Sequence, residues 1–161
     1  MKNKKILFLT QASMIATFYV VLTVVFQAIS FGQIQVRVAE ALTVLPAFTP
    51  AAIPGLFIGC LLGNIIGGAA LPDILLGSLA TLIGACFTYL LRRKNIALIL
   101  LPPIISNSLI IPFVLRYTYG INLPIIFMVG TVAIGEILSC GFLGIILFSA
   151  LQKNRHKIFG S

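Results

Sequence analysis

Long apolar runs broken by short polar interruptions dominate this chain. Residues 6–29, 51–70, 74–91 and 96–115 each hold enough apolar side chains to cross a bilayer as a helix, which takes about 20 residues, and a fifth run covers 123–151. The breaks fall at Ser30-Phe31-Gly32, at Leu71-Pro72-Asp73, at Arg92-Arg93-Lys94-Asn95 and across 116–122, where charge, glycine and proline collect. The first run follows a Lys-rich flank and leads to the small residues Ala28 and Ser30, as a signal peptide would. It outlasts the roughly 7–15 apolar residues of such a peptide and is followed by further spans, so it reads as a helix.

Composition agrees with the pattern. Hydrophobic residues make up 60% of the 161, charged residues 9%, and mean hydropathy is +1.15. A soluble domain is about a quarter charged. Most of this surface therefore meets lipid or other apolar helices. The net charge of +8 raises nucleic acid as a partner. Its layout excludes one: Lys2, Lys4 and Lys5, then Arg92, Arg93 and Lys94, then Lys153, Arg155 and Lys157 form three clusters between apolar runs, without interleaved aromatics.

Those clusters fix the number of crossings. Basic loops sit on the cytoplasmic side, yet three of the five apolar runs separate the first cluster from the second and would place them on opposite faces. One more crossing is required. The candidate is 35–49, too polar to score well by hydropathy and bounded by Pro46 and Pro50. The expected fold is an all-α integral membrane protein, a single membrane domain over 1–161. Its six transmembrane helices lie near 6–29, 35–49, 51–70, 74–91, 96–115 and 123–151, with both termini cytoplasmic.

The segment that parity forces into the membrane carries Arg37 and Glu40, and intramembrane charges face a protein interior. Three residues apart on a helix, they share a face and can pair. Glu136 lies roughly 20 Å along the last span by helical rise, with no basic residue within a turn. A carboxylate at that depth takes a proton, a partner from another helix or a polar ligand, and Ser139 and Cys140 extend its face. Asn64 and Asn107 add amides on two further spans, either as interhelical hydrogen-bonding groups or as part of the same site. Asp73, after Pro72, reads as the N-cap of the helix that follows.

Gly55, Gly59, Gly63 and Gly67 recur every fourth residue, and Ala12 and Ala16 make a small-xxx-small step in the first span; both patterns permit close helix contact. Cys60, Cys86 and Cys140 are dispersed and read as small buried residues. Nothing resembles catalysis: His156 stands in the basic tail, and there is no metal-ligand spacing, no Ser/His/Asp set and no phosphate loop. No cofactor or metal is expected, and any ATP hydrolysis belongs to a partner.

Over almost its whole length the chain resembles the QueT family of membrane proteins. The resemblance rests on Gln35-Val36-Arg37-Val38-Ala39-Glu40-Ala41-Leu42-Thr43-Val44-Leu45-Pro46, on Phe48-Thr49-Pro50-Ala51-Ala52-Ile53-Pro54-Gly55 with Gly63-Asn64, and further on Asp73-Ile74, Gly77-Ser78-Leu79-Ala80-Thr81-Leu82 and Gly135-Glu136. It implies a substrate-binding S component of an energy-coupling-factor transporter in the bacterial cytoplasmic membrane, taking up queuosine precursors such as 7-aminomethyl- or 7-cyano-7-deazaguanine. The implied partners are a coupling protein and two ATPase subunits, with Ala12 and Ala16 at the docking surface. A deazaguanine offers adjacent N–H donors that one carboxylate accepts together. Glu136 or Glu40 suits that edge, Arg37, Asn64 or Asn107 the ring carbonyl, and Phe31, Tyr117 and Tyr119 a stacking cover. The competing reading is a self-sufficient secondary carrier for a small polar solute, which broken helices such as one at Pro102-Pro103 would favour.

Overall fold

The structure, a computed structural model, describes residues 2–30 and 36–153. Phe31, Gln35 at the start of the expected second span, Arg155, His156 and Lys157 lie outside them. Six helices and no strands make up the described residues. They are α1 (Lys2–Val25, with a further turn at Gln27–Ser30), α2 (Val38–Ala47), α3 (Ala52–Ile66), α4 (Leu71–Leu90), α5 (Ile96–Thr118) and α6 (Ile125–Lys153).

α1, α4, α5 and α6 are long and apolar enough to cross a membrane. α2 and α3 are shorter than the expected spans at 35–49 and 51–70. α2 is a 3-10 helix of 10 residues, about 20 Å long at 2.0 Å per residue, and the 15 residues of α3 reach about 22 Å. Both fall below the roughly 30 Å hydrocarbon thickness. α3 stops early because the chain turns at Gly67-Gly68, where Gly68 adopts φ +75, a conformation other residues resist.

α2 touches all five other helices, and eight of its ten residues are buried. Its winding decides where its polar groups point. At three residues per turn, side chains at i and i+3 eclipse, so Arg37 at the cap, Glu40 and Thr43 stack on one face. Thr43 Oγ1 donates to the Glu40 carbonyl at 2.6 Å, which supports the tight turn.

Small residues set the closest helix approaches. A Cβ on Gly59 would lie 2.7 Å from Tyr19 Cβ and 3.0 Å from Ala16 Cα, and one on Gly55 2.7 Å from the Ala12 carbonyl. α1 and α3 therefore meet backbone to backbone along the glycine stripe, and this buries Ala12 and Ala16. α5 runs unbroken through Pro102, Pro103 and Pro112. Pro103 has no N–H for the carbonyl of Ile99, four residues earlier. Thr88 Oγ1 of α4 donates to that carbonyl at 2.9 Å, so the proline costs no unsatisfied group in the apolar interior.

Candidate substrate site

Polar side chains that the hydropathy pattern scatters over five spans converge around α2. Glu40, Asp73 and Glu136 are the chain's 3 acidic residues, and each is at most 3% exposed. Desolvating them is costly unless they are paired and hydrogen-bonded.

Glu40 is the hub. Its Oε1 accepts a hydrogen bond from the Tyr19 hydroxyl of α1 and one from Thr81 Oγ1 of α4 at 3.1 Å. Its Oε2 is buried without a partner. Thr81 also reaches Cys60 Sγ of α3 at 3.5 Å, and Asn64 Nδ2 lies 3.6 Å from the same sulfur.

Glu136 arrives from α6, where the helix widens into a π-helical stretch at Ile137–Leu143. Such stretches recur at functional sites. Here the widened turn brings Cys140 Sγ to Glu136 Oε2 at 3.1 Å and to the Glu40 carbonyl at 3.5 Å, joining α6 to α2. A carboxylate oxygen of each glutamate and Cys140 Sγ all lie within 4.8 Å of one another. Asn107 of α5 stands beside both carboxylates. Neither its Nδ2 nor its Oδ1 completes a hydrogen bond of good geometry, although the residue is 1% exposed.

Toward the start of α4 the cluster continues through an ion pair. Arg37 Nη2 lies 3.4 Å from Asp73 Oδ1, and the Tyr119 hydroxyl donates to Asp73 Oδ2 at 2.9 Å while accepting from the Ala70 N–H at 3.1 Å. Burial pushes the Tyr119 phenol above its ordinary range, which keeps it a donor. Gly77 forms the floor between the two halves: a Cβ there would meet Asn64 Nδ2 and Asp73 Oδ1, each at 3.3 Å, and Arg37 Nη1 at 3.6 Å.

The structure thus gathers Arg37, Glu40, Asn64, Asn107 and Glu136 into one buried cluster and sets Tyr119 at its edge. Tyr117 is 76% exposed and stands apart. Ala12 and Ala16 line the base of an apolar groove between α1 and α3, beside Ser13, Thr17, Pro54 and Ile58. Arg37 holds Asp73 across the bundle, where the spacing had allowed a pair with Glu40 three residues along its own chain. One reading of the sequence needs correcting. Asp73 is not a helix cap: α4 begins two residues earlier, Ala70 holds the cap position, and no side chain caps it. Tyr19, Thr81 and Asp73 were missed as members of the cluster. The available signal was the scarcity of acid, since a chain with three carboxylates does not spend one on an ordinary cap.

Comparison with known proteins gives a consistent picture. The family model described as QueT transporter matches residues 9–153. A protein of Lactococcus lactis subsp. cremoris (strain MG1363), named queuosine precursor transporter QueT, is 28% identical over 166 residues, covering 95% of this chain and 96% of that one. No solved structure matches.

Proposed function

The chain belongs to the QueT transporter family, and from there we propose that it is the substrate-binding S component of an energy-coupling-factor importer for queuosine precursors. As a family member with several helices apolar enough to span, it is a multi-pass membrane transporter. The finer reading is uptake of 7-deazaguanines, such as the 7-aminomethyl or 7-cyano compound, across a bacterial cytoplasmic membrane, through six crossings with both termini inside.

The burial of all 3 acidic residues in one cluster carries this reading. Packing apolar helices does not require it, whereas recognising a polar base does. The two N–H groups on the Watson–Crick edge of a deazaguanine match one carboxylate, Glu136 or the free oxygen of Glu40. The unsatisfied Asn107 amide matches the ring carbonyl and a ring N–H. Arg37 and Asn64 complete the wall, and Tyr119, held by Asp73, closes its edge.

In this reading energy comes from two ATPase subunits through a coupling protein, since the chain carries no nucleotide-hydrolysing motif of its own. The groove over Ala12 and Ala16 is the docking surface in this reading: it is apolar, lies along α1 and is floored by small side chains. Uptake of radiolabelled 7-aminomethyl-7-deazaguanine by vesicles tests the assignment. Uptake is expected only when coupling protein, both ATPases and ATP are present with this chain. Accumulation by this chain alone would make it a secondary carrier and overturn the S-component reading.

A further inference from the structure

The charges in the cluster do not balance. Among the described residues Arg37 is the one buried basic side chain, against three buried carboxylates. Arg37 and Asp73 form one ion pair. That leaves Glu40 and Glu136, on different helices, with carboxylate oxygens within 4.8 Å of each other.

Among the described residues, the titratable and charged groups around them are Tyr19 from α1, Arg37 at the head of α2 with its partner Asp73 from α4, Cys60 from α3 and Cys140 from α6. α5 contributes the neutral amide of Asn107. Tyr19 and Cys140 already donate to the two carboxylates, and no second guanidinium or ammonium is among these groups. Two carboxylates at this separation in a buried site do not both ionise unless a cation joins them. The polar atoms left unsatisfied there, Glu40 Oε2 and both ends of the Asn107 amide, point to a ligand that brings hydrogen-bonding groups of its own.

We infer that Glu40 and Glu136 share one proton before the ligand arrives, and that a ligand carrying a protonated primary amine takes that proton's place, so that such a ligand is bound in exchange for a proton. The inference rests on the reading of this cluster as the substrate site. The balance is simple: the ammonium group enters with its own charge, the shared proton leaves to solvent, and both carboxylates are then ionised, one facing the ammonium and the other the ring N–H groups. A ligand with the same ring and a neutral substituent brings no charge and displaces no proton. The pair therefore discriminates the amine from the nitrile, by an amount that depends on pH. One proton released corresponds to an affinity that rises at most about tenfold per pH unit. An alkylamine, with a pKa near that of lysine at about 10.4, stays charged throughout the neutral range.

Calorimetric titration of the purified full-length chain decides the matter. It is run at pH 6, 7 and 8 in phosphate and in Tris, whose ionisation enthalpies differ, with 7-aminomethyl- and 7-cyano-7-deazaguanine. The expected result is release of up to one proton with the amine, tightening as pH rises, and none with the nitrile. Glu136→Gln, or Glu40→Gln if that variant better keeps the parent's thermal transition, leaves a single carboxylate and should abolish the release. If both ligands bind with equal proton release, or the amine binds with none, the exchange is wrong and the substrate reading stands. If neither ligand binds, both fall. Release provoked by magnesium or zinc ions alone would make the pair a metal site and overturn the inference.

Discussion

Arg37 and Asp73, 36 positions apart in sequence, form an ion pair at 3.4 Å with both side chains at most 6% exposed. The contact ties the segment entering α2 to the first turn of α4, and the Tyr119 hydroxyl bonded to Asp73 adds the end of α5. Three helix ends are thereby held together over the glutamate pair.

Breaking this tie by removing one partner leaves a buried charge uncompensated, which typically costs about 3–5 kcal/mol. Asp73→Asn should lower the thermal transition far more than Tyr119→Phe, which deletes two hydrogen bonds at a half-exposed hydroxyl but leaves no buried charge uncompensated. Equal transitions for the two variants would show that the pair holds nothing together.

A second prediction concerns the seam between α1 and α3. Gly59→Ala places a methyl 2.7 Å from Tyr19 Cβ, and overpacking of this kind costs about 1–3 kcal/mol. Gly130→Ala, where nothing lies within 4 Å of the new atom, is the control and should be neutral. Detergent-solubilised thermal unfolding compares them. Because Ala12 and Ala16 pack on the same seam, bulky replacements there should disturb α1 itself, so loss of docking is to be read only in variants that keep the parent's stability.

Much of the cluster was legible in the sequence because charge and amide groups stand out against an apolar background. Glu136, Asn64 and Asn107 are conspicuous for that reason alone. Glu40 was found only by reconciling the basic clusters across spans, since α2 is too polar and short for hydropathy. Its 3-10 winding was not legible: over ten residues a repeat of three and one of 3.6 drift apart by little more than half a turn. Asp73 was misread because Pro-Asp before an apolar run is a good local cap signal, while its true partner is fixed by tertiary packing. Tyr19 looks like one more aromatic residue in a lipid-facing helix until the fold sets its hydroxyl on Glu40. The unbroken α5 was hidden for a similar reason, as the donor that rescues Pro103 comes from α4.

That rescue gives a third prediction. Thr88→Val removes the donor to the Ile99 carbonyl while keeping the side-chain volume, leaving a buried acceptor unsatisfied at a cost of about 1–3 kcal/mol. Combining it with Pro103→Ala, which restores a backbone N–H to the helix, should recover part of the loss. No recovery in the double variant would mean that the hydroxyl matters for some other reason.

The six-crossing topology predicts that a cysteine label at residue 94 reacts from the cytoplasmic side and one at residue 120 from outside. Reaction of residue 94 with an impermeant reagent added to whole cells would contradict the topology.

The central claim is that the buried carboxylates recognise a deazaguanine, and the most direct measurement is equilibrium binding of 7-aminomethyl-7-deazaguanine to the purified chain and to Glu136→Gln. Glutamine keeps the volume and replaces one acceptor with a donor facing the ligand's own N–H groups. A hydrogen bond to a charged group contributes about 1.5–3 kcal/mol, so affinity should fall roughly 10- to 150-fold while the thermal transition of the ligand-free protein stays near that of the parent. Binding of the variant as tight as the parent's would contradict the account, because Glu136 would then be a structural residue and the cluster around it no substrate site.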